Sequence, residues 1–379
     1  MARKSAALLI CCMLPLLALG FIMQISIGPF TVGNNGDPYA EVKRQVLYAG
    51  IGTILLWIML KLDYRRLSQW SWVLFGVTFA LLGLCLIPGI GKELNGARRW
   101  LRIPGGTFQP SELAKVVGII CSAAWCARHP EHRRTFTKGF AIPLLISGIL
   151  VMMIAVEIDL GNAALLVIGT LSVVYAAGAR LRYLALSIMG VAGAFGGAIY
   201  FLPERVGRFL AFLDLEKYRA GDGMQQFGCL IAYASGGITG QGVGNSRVKM
   251  GALPYANSDM ISAIIGEEFG GLFCLGMVVV YSILCIAGFF IAIHAPDRFG
   301  KLLGFGIVSL LASQTFIHLG VTTAMLPNKG MPLPFISAGG SNIICLMLAV
   351  GILLNIHKQG MQMRSQDVLL GRAKFTPAV

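Results

Sequence analysis

DMISAIIGEEFGGLFCLGMVVVYSILCIAGFFIAI, residues 259–293, carries three carboxylates near its start and then no charge at all. An apolar run of this length exceeds the about 20 residues a helix needs to cross about 30 Å of hydrocarbon. It reads as a membrane span over 261–293, with Glu267 and Glu268 inside it and Asp259 at its mouth. Ionisable groups so placed are candidates for function by default. The preceding stretch, QFGCLIAYASGGITGQGVGNSRVKMGALPY (226–255), is glycine-rich and polar. Irregular backbone at membrane depth is tolerated only where protein or water satisfies its hydrogen bonds, so this stretch is expected to line a watery cleft.

Working outward, the same kind of run recurs near 6–27, 46–62, 71–89, 113–127, 139–156, 163–178, 182–202, 302–326 and 338–356. With 56% hydrophobic residues, 13% charged and a mean hydropathy of +0.74, the 379-residue chain lies far from soluble domains. The expectation is an all-α polytopic membrane protein of ten helices. One transmembrane domain fills 1–356, a large loop over 203–260 separates helices seven and eight, and 357–379 is a tail.

Ten spans place both termini on one side. Assigning that side to the cytoplasm gives the inner loops and tails 17 Lys or Arg against 4 Asp or Glu, whereas the outer ones hold 14 against 11. This agrees with the positive-inside rule. The net charge of +14 is thus mostly an orientation signal, which removes the nucleic-acid reading of a pI near 9.6. Arg3 and Lys4 before an apolar run resemble a signal peptide, but no small-x-small cleavage pattern follows, so the first span is read as uncleaved. Of nine cysteines only Cys229 falls in an outer loop, and no Cys/His spacing fits zinc.

Function is expected to concentrate on the outer face. PERVGRFLAFLDLEKYRAGDGMQQFG (203–228) alternates apolar and charged residues as an interfacial amphipathic helix does, or else is a solvated loop. The third-to-fourth connection sets Lys92, Arg98, Arg99 and Arg102 around Trp100. Clustered arginines suit phosphate oxygens, and Trp100 either anchors the loop or stacks on a sugar. Pro110 fits the first position of a helix, on which Glu112 and Lys115 share a face, as a structural ion pair or as site residues. Glu157 and Asp159, two apart in a turn, are oxygen ligands for a divalent cation, or Asp159 caps the next helix. MLPNKGMPLPFISAGGSN (325–342), with three prolines and the pair Gly339 and Gly340, reads as a non-helical cavity wall.

GARRW (96–100), QPSELAK (109–115), EIDLGN (157–162), GQGVGNSRVK (240–249), SDMISAIIGEEFG (258–270) and PLPFISAGGS (332–341), in this order, resemble the SEDS family (shape, elongation, division, sporulation). These are polytopic bacterial enzymes that polymerise peptidoglycan from lipid II. GNSRVK and IGEE are more similar to the division branch (FtsW and SpoVE) than to the elongation branch (RodA). NSDMIS stands where the family usually has HTDFIF, and FISAGGSN where it has FISYGGSS, so aromatic contacts near the acid are missing here.

The resemblance implies a glycosyltransferase of the bacterial inner membrane, its site facing outward, that transfers a lipid-linked disaccharide by inversion and releases undecaprenyl pyrophosphate. It implies Asp259 as the catalytic base and a class B penicillin-binding protein as partner. Candidate substrate contacts are Arg98, Arg99, Trp100, Glu112, Lys115, Arg247, Lys249, Glu267, Glu268, Ser337, Gly339 and Gly340. Arginines and lysines among them, with or without Mg or Mn, would meet the pyrophosphate charge. Asp259 also reads as the start of a helix, where capping and dipole would hold its pKa down and weaken it as a base. Two other readings stand beside this one: a transporter of the same lipid, and a non-enzymatic scaffold of the division apparatus. The sequence holds no S-x-x-K accompanied by K-T-G, so cross-linking belongs to another protein.

Overall fold

The computed structural model describes residues 2–30, 37–94, 97–103, 106–183, 185–187, 189–190, 193, 197, 203–250 and 256–369. Among them five helices are long and apolar enough to cross a membrane, and two shorter apolar helices accompany them. The chain is a mostly helical, polytopic membrane protein. The run expected at 182–202 lies largely outside the described residues.

The helices are α1 (Ala2–Ile27), α2 (Ala40–Lys61), α3 (Arg65–Gln69), α4 (Ser71–Leu86), α5 (Pro110–Arg128), α6 (Ile142–Val156) and α7 (Leu160–Ala176). They continue with α8 (Pro203–Leu213), α9 (Met224–Gly236), α10 (Ile261–Phe269), α11 (Gly271–Ile293), α12 (Arg298–Thr322) and α13 (Gly340–Leu369). Helices dominate because each satisfies its own backbone hydrogen bonds, which lipid cannot do. α2 lies along α13, α1 along α11, and α5 packs against α4, α7 and α12. Small residues allow the closest approaches: a Cβ on Gly306 of α12 would sit 2.6 Å from side-chain carbons of both Ile119 and Val173.

Four expectations need correction. The fold is not all-α, because β1 (Gly91–Leu94), β2 (Ala97–Ile103) and β3 (Gly106–Phe108) form an antiparallel sheet in the order β1-β2-β3. The stretch 226–255 is not irregular throughout, since α9 runs to Gly236 with Cys229 and Ala232 fully buried. The run 261–293 is two helices, broken at Gly270. And residue 357 marks no break in the backbone, because α13 continues as helix to Leu369 within the stretch expected as a tail.

Gly270 adopts φ +86°, a conformation other residues avoid, and a Cβ there would collide with Ile238 O and Gly240 N. The break lets Gly271 N donate to Gly237 O at 2.8 Å, while Gln241 N and Gly242 N donate to the carbonyls of Glu267 and Glu268, each at 2.9 Å. The irregular segment after α9 thus finds its backbone partners on the end of α10. Gly270→Ala is expected to cost about 1–3 kcal/mol, lowering the thermal unfolding midpoint in detergent. Gly83→Ala, whose Cβ would meet nothing within 4 Å, should not lower it. Equal midpoints for the two variants would show that the break carries no strain.

Candidate functional site

Asp259 lies in a turn between the irregular segment and α10, which begins at Ile261; its N-cap is Met260, with no side-chain cap. Asp259 therefore does not cap a helix, and the expected depression of its pKa is absent. Burial in the protein wall pushes its carboxyl up to about 6, against a hydrogen bond from Ser258 and the positive fields of Lys329 and Arg99, with the charge of Asp159 adding to the rise. The turn is pinned to the proline-rich segment. Ala338 N donates to Asn257 O at 2.9 Å, Ser337 Oγ donates to Ser258 O at 2.6 Å, and a Cβ on Gly330 would collide with Asp259 Oδ2.

Asp259 opens into a polar cavity of about 810 Å³. Segments distant in sequence meet in it. α2 supplies Arg44, Gln45 and Tyr48, the sheet Lys92, Arg99 and Trp100, and α8 Arg208. Glu112 of α5, Asp159, Asn162 of α7, Lys329 and the Gly339–Gly340 pair complete the wall. The sheet explains the choice of cation, because pairing sets Lys92 opposite Trp100 and turns Arg98 onto Glu93 at 3.0 Å. Arg99 stays with the cavity, its guanidinium 5.2 Å from the Trp100 ring.

Of the other expected site residues, several are held elsewhere. Lys115 pairs with Glu112 at 2.9 Å, both nearly fully buried, and Asn342 Nδ2 donates to the same carboxylate at 2.7 Å. Lys249 pairs with Glu268 at 2.6 Å inside the protein and also donates to Gly244 O at 2.7 Å. Glu267 accepts from Ser246 Oγ and from the backbone N–H groups of Arg247 and Val248. Arg98, Lys115, Ser337, Arg247, Lys249, Glu267 and Glu268 thus stand outside the cavity lining, and Lys249 does not share the cleft of Asp259. Arg44, Gln45, Tyr48 and Arg208 enter it without having been singled out, and Lys92 and Lys329 enter it from the outer segments where they were noted. Glu41, Arg44, Gln45 and Tyr48 follow i, i+3, i+4, i+7, a polar face on an otherwise apolar helix that helical periodicity would have disclosed.

Asp159 caps α7, accepting from Asn162 N at 3.4 Å, and its Oδ2 accepts from Gln109 Nε2, Ser111 Oγ and Asn162 Nδ2 at 2.8 to 3.0 Å. Those donors occupy the lone pairs a cation would need. Among the described residues no group of three or more His, Cys, Asp or Glu comes together as a ligand set. The pair Glu157 and Asp159 therefore does not fit a divalent cation. Glu157 is 1% exposed with no partner on either carboxylate oxygen, and burial beside Asp159 pushes its pKa up to about 8 despite Arg99. With the folded-state pKa raised above that of the unfolded chain, the protonated form stabilises the fold at low pH. That contribution fades as pH rises from about 4.5 to about 8. Glu157→Gln should therefore raise the thermal midpoint relative to wild type more at pH 8 than at pH 5, and a pH-independent difference would contradict a protonated Glu157.

Residues 6–362 match the FtsW/RodA/SpoVE model of cell cycle proteins. The probable peptidoglycan glycosyltransferase FtsW of Geobacter metallireducens is 37% identical, over 84% of this chain and 85% of its own. The stage V sporulation protein E of Bacillus subtilis is 35% identical over 93% of this chain and 96% of its own. A chain from a peptidoglycan synthase complex that coordinates polymerization and crosslinking superposes with a TM-score of 0.75 at 27% identity, covering 93% of this chain and 98% of that one. With the family model spanning nearly the whole length and two relatives above one-third identity, this chain belongs to the FtsW/RodA/SpoVE family.

Proposed function

We propose that this protein is a peptidoglycan glycosyltransferase of bacterial cell division, polymerising lipid II with Asp259 as its base. The observation that carries this reading is the convergence of Asp259, Arg99 and Lys329 on one cavity from three distant segments. A sugar hydroxyl is a weak nucleophile. Asp259 takes its proton as the oxygen attacks the anomeric carbon, while the bond from that carbon to the pyrophosphate oxygen breaks with inversion. The electron pair leaves on undecaprenyl pyrophosphate, whose charge Arg99, Lys329 and Lys92 stabilise. A carboxyl with a pKa near 6 is ionised at neutral pH and yet a stronger base than an ordinary aspartate. Burial thus suits Asp259 to the step better than the capping role expected of it.

The rest of the reading follows the family. Ten spans put both termini in the cytoplasm and the cavity on the outer face of the inner membrane, with 203–260 as the large outer loop. The positive-inside count supports this. Trp100, with Arg99 against its ring, and the Gly339–Gly340 edge are the surfaces offered to sugar. Glu112, held by Lys115 and Asn342, lines the cavity without reacting, and Glu267 and Glu268 fasten the irregular segment outside it. A class B penicillin-binding protein supplies the cross-linking. A divalent cation, if used, would be brought by the pyrophosphate rather than held by Glu157 and Asp159.

Asp259→Asn, purified with its transpeptidase partner, should lose about 10²- to 10⁴-fold in lipid II polymerisation while keeping its fold. Undiminished polymerisation would remove Asp259 as base, and loss of lipid translocation in vesicles alone would favour a transporter. In wild type, kcat/KM should fall tenfold per unit below an acid limb near pH 6. A limb near pH 4 would mean that the group titrating is not this buried carboxyl.

A further inference from the structure

α12 is apolar along most of its length, yet Gln314, His318 and Thr322, each four residues apart, put three buried polar side chains on one of its faces. All three point toward the segments that carry the cavity. Gln314 Nε2 donates to Pro332 O at 2.8 Å. His318 is 1% exposed and makes two contacts: Nδ1 lies 2.7 Å from Met331 O, and Nε2 lies 3.0 Å from Ser262 Oγ. A carbonyl oxygen only accepts, so Nδ1 carries the proton, and Nε2 of the neutral ring is an acceptor facing the Ser262 hydroxyl. The Tyr233 hydroxyl donates in turn to Ser262 Oγ at 3.2 Å, and Thr322 Oγ1 donates to His318 O at 3.1 Å. Ser262 Oγ is also placed to donate to Thr322 Oγ1 at 2.9 Å, so its single proton serves either Thr322 or His318 Nε2.

The two ends of this imidazole bridge are the two segments that enclose Asp259. Ser262 is in the first turn of α10, three residues after Asp259. Met331 follows Gly330, where a Cβ would collide with the Asp259 carboxylate, and Lys329, whose charge acts on it. On the other side, Ser337 and Ala338 tie the proline-rich segment to Ser258 and Asn257. Gln24 Nε2 of α1 adds a bond to Asn257 O at 3.1 Å, so each of these ties falls on Asn257 or Ser258, ahead of Asp259. His318 acts on the other side of Asp259, through Ser262 and from α12.

We propose that His318 is a positioning residue, its ring bridging Ser262 and Met331 so as to hold the Asp259 carboxylate against Gly330 and Lys329. This rests on Asp259 being the base. Neither His318 nor Ser262 lines the cavity; of the bridge only Met331 does, and His318 meets it at the backbone carbonyl. Its loss should therefore appear in the chemical step and in the acidity of Asp259, with little change in substrate affinity. A side chain needed only for packing would lower stability without moving a titration.

The test measures lipid II polymerisation across pH with the purified protein and its transpeptidase partner. His318→Phe keeps a ring but neither hydrogen bond. It should lower kcat by about 10- to 100-fold, leave KM within about twofold, and move the acid limb of kcat/KM away from its wild-type position. His318→Gln, which offers one donor and one acceptor, should recover most of the rate and return the limb. Ser262→Ala cuts the other end of the bridge and should shift the limb in the same direction, adding little to His318→Phe in the double variant. Should His318→Phe fail to fold, Ser262→Ala decides alone, because wild-type kcat and an unmoved limb in that variant overturn the proposal. Asp259→Asn run alongside separates the two ideas. Full activity there sinks the base, whereas an inactive Asp259→Asn beside a wild-type Ser262→Ala sinks only the bridge.

Discussion

Glu267 is the anchor on which the irregular part of the structure hangs. Its side chain accepts from Ser246 Oγ and two successive backbone N–H groups, and its own carbonyl takes Gln241 N. Residues 237–250 form no long helix and would otherwise bring unsatisfied backbone into a membrane protein, at several kcal/mol per group. One carboxylate does for this loop what the helical ladder does elsewhere. Beside it Glu268 and Lys249, both fully buried, close the loop with Ser26 of α1 donating to the same carboxylate at 2.6 Å. A buried pair of this kind adds little net stability over apolar packing but is costly to half-remove, so it fixes arrangement more than it adds free energy. The arrangement it fixes is α10, and with α10 the turn that presents Asp259.

That dependence explains why the carboxylates of this segment divide their work. Glu267 is surrounded by donors and holds backbone, and Glu268 takes Ser26 Oγ and Lys249 Nζ on one oxygen. Asp259, two residues before the helix, meets one hydroxyl and the more distant charges of Lys329 and Arg99. Its environment is set by desolvation rather than by donors, which leaves its proton affinity high enough to be useful.

Much of this was legible in the sequence, and what was not has identifiable causes. Long apolar runs gave the membrane protein, and the carboxylates near the start of one run marked three candidates, among which the family resemblance put Asp259 first. Run length also misled, because the pair Gly270 and Gly271 inside 261–293 marked a break that continuous hydrophobicity overrode. Glycine count misled in the opposite sense at 224–236, where Gly228 and Gly236 are buried residues of a true helix; a Cβ on Gly236 would collide with Gly266 O. The sheet over 91–108 was hidden by its shortness. The pair Glu112 and Lys115 was readable from its spacing, but which glutamate Lys249 meets, and the pairing of Arg98 with Glu93, are decided by tertiary placement, and that placement removed most of the expected phosphate-binding cations from the cavity. Arg99 remained because it sits in the sheet beside a cavity-lining tryptophan.

The cations that stayed have a double effect on the proposed base. Arg99 and Lys329 are the same charges that pull the proton affinity of Asp259 down against its burial. A pyrophosphate drawn to them brings negative charge into the cavity and cancels their field at Asp259. What then acts on the carboxyl is desolvation and the neighbouring charge of Asp159, both of which raise its pKa. Binding the leaving group therefore makes Asp259 a stronger base at the moment a hydroxyl proton must be removed. An empty cavity keeps it ionised and ready, and an occupied one gives it the driving force. On this view the mixed signs around the cavity are not a compromise between binding and catalysis, because the cations that hold the pyrophosphate control the base through the charge they give up to it.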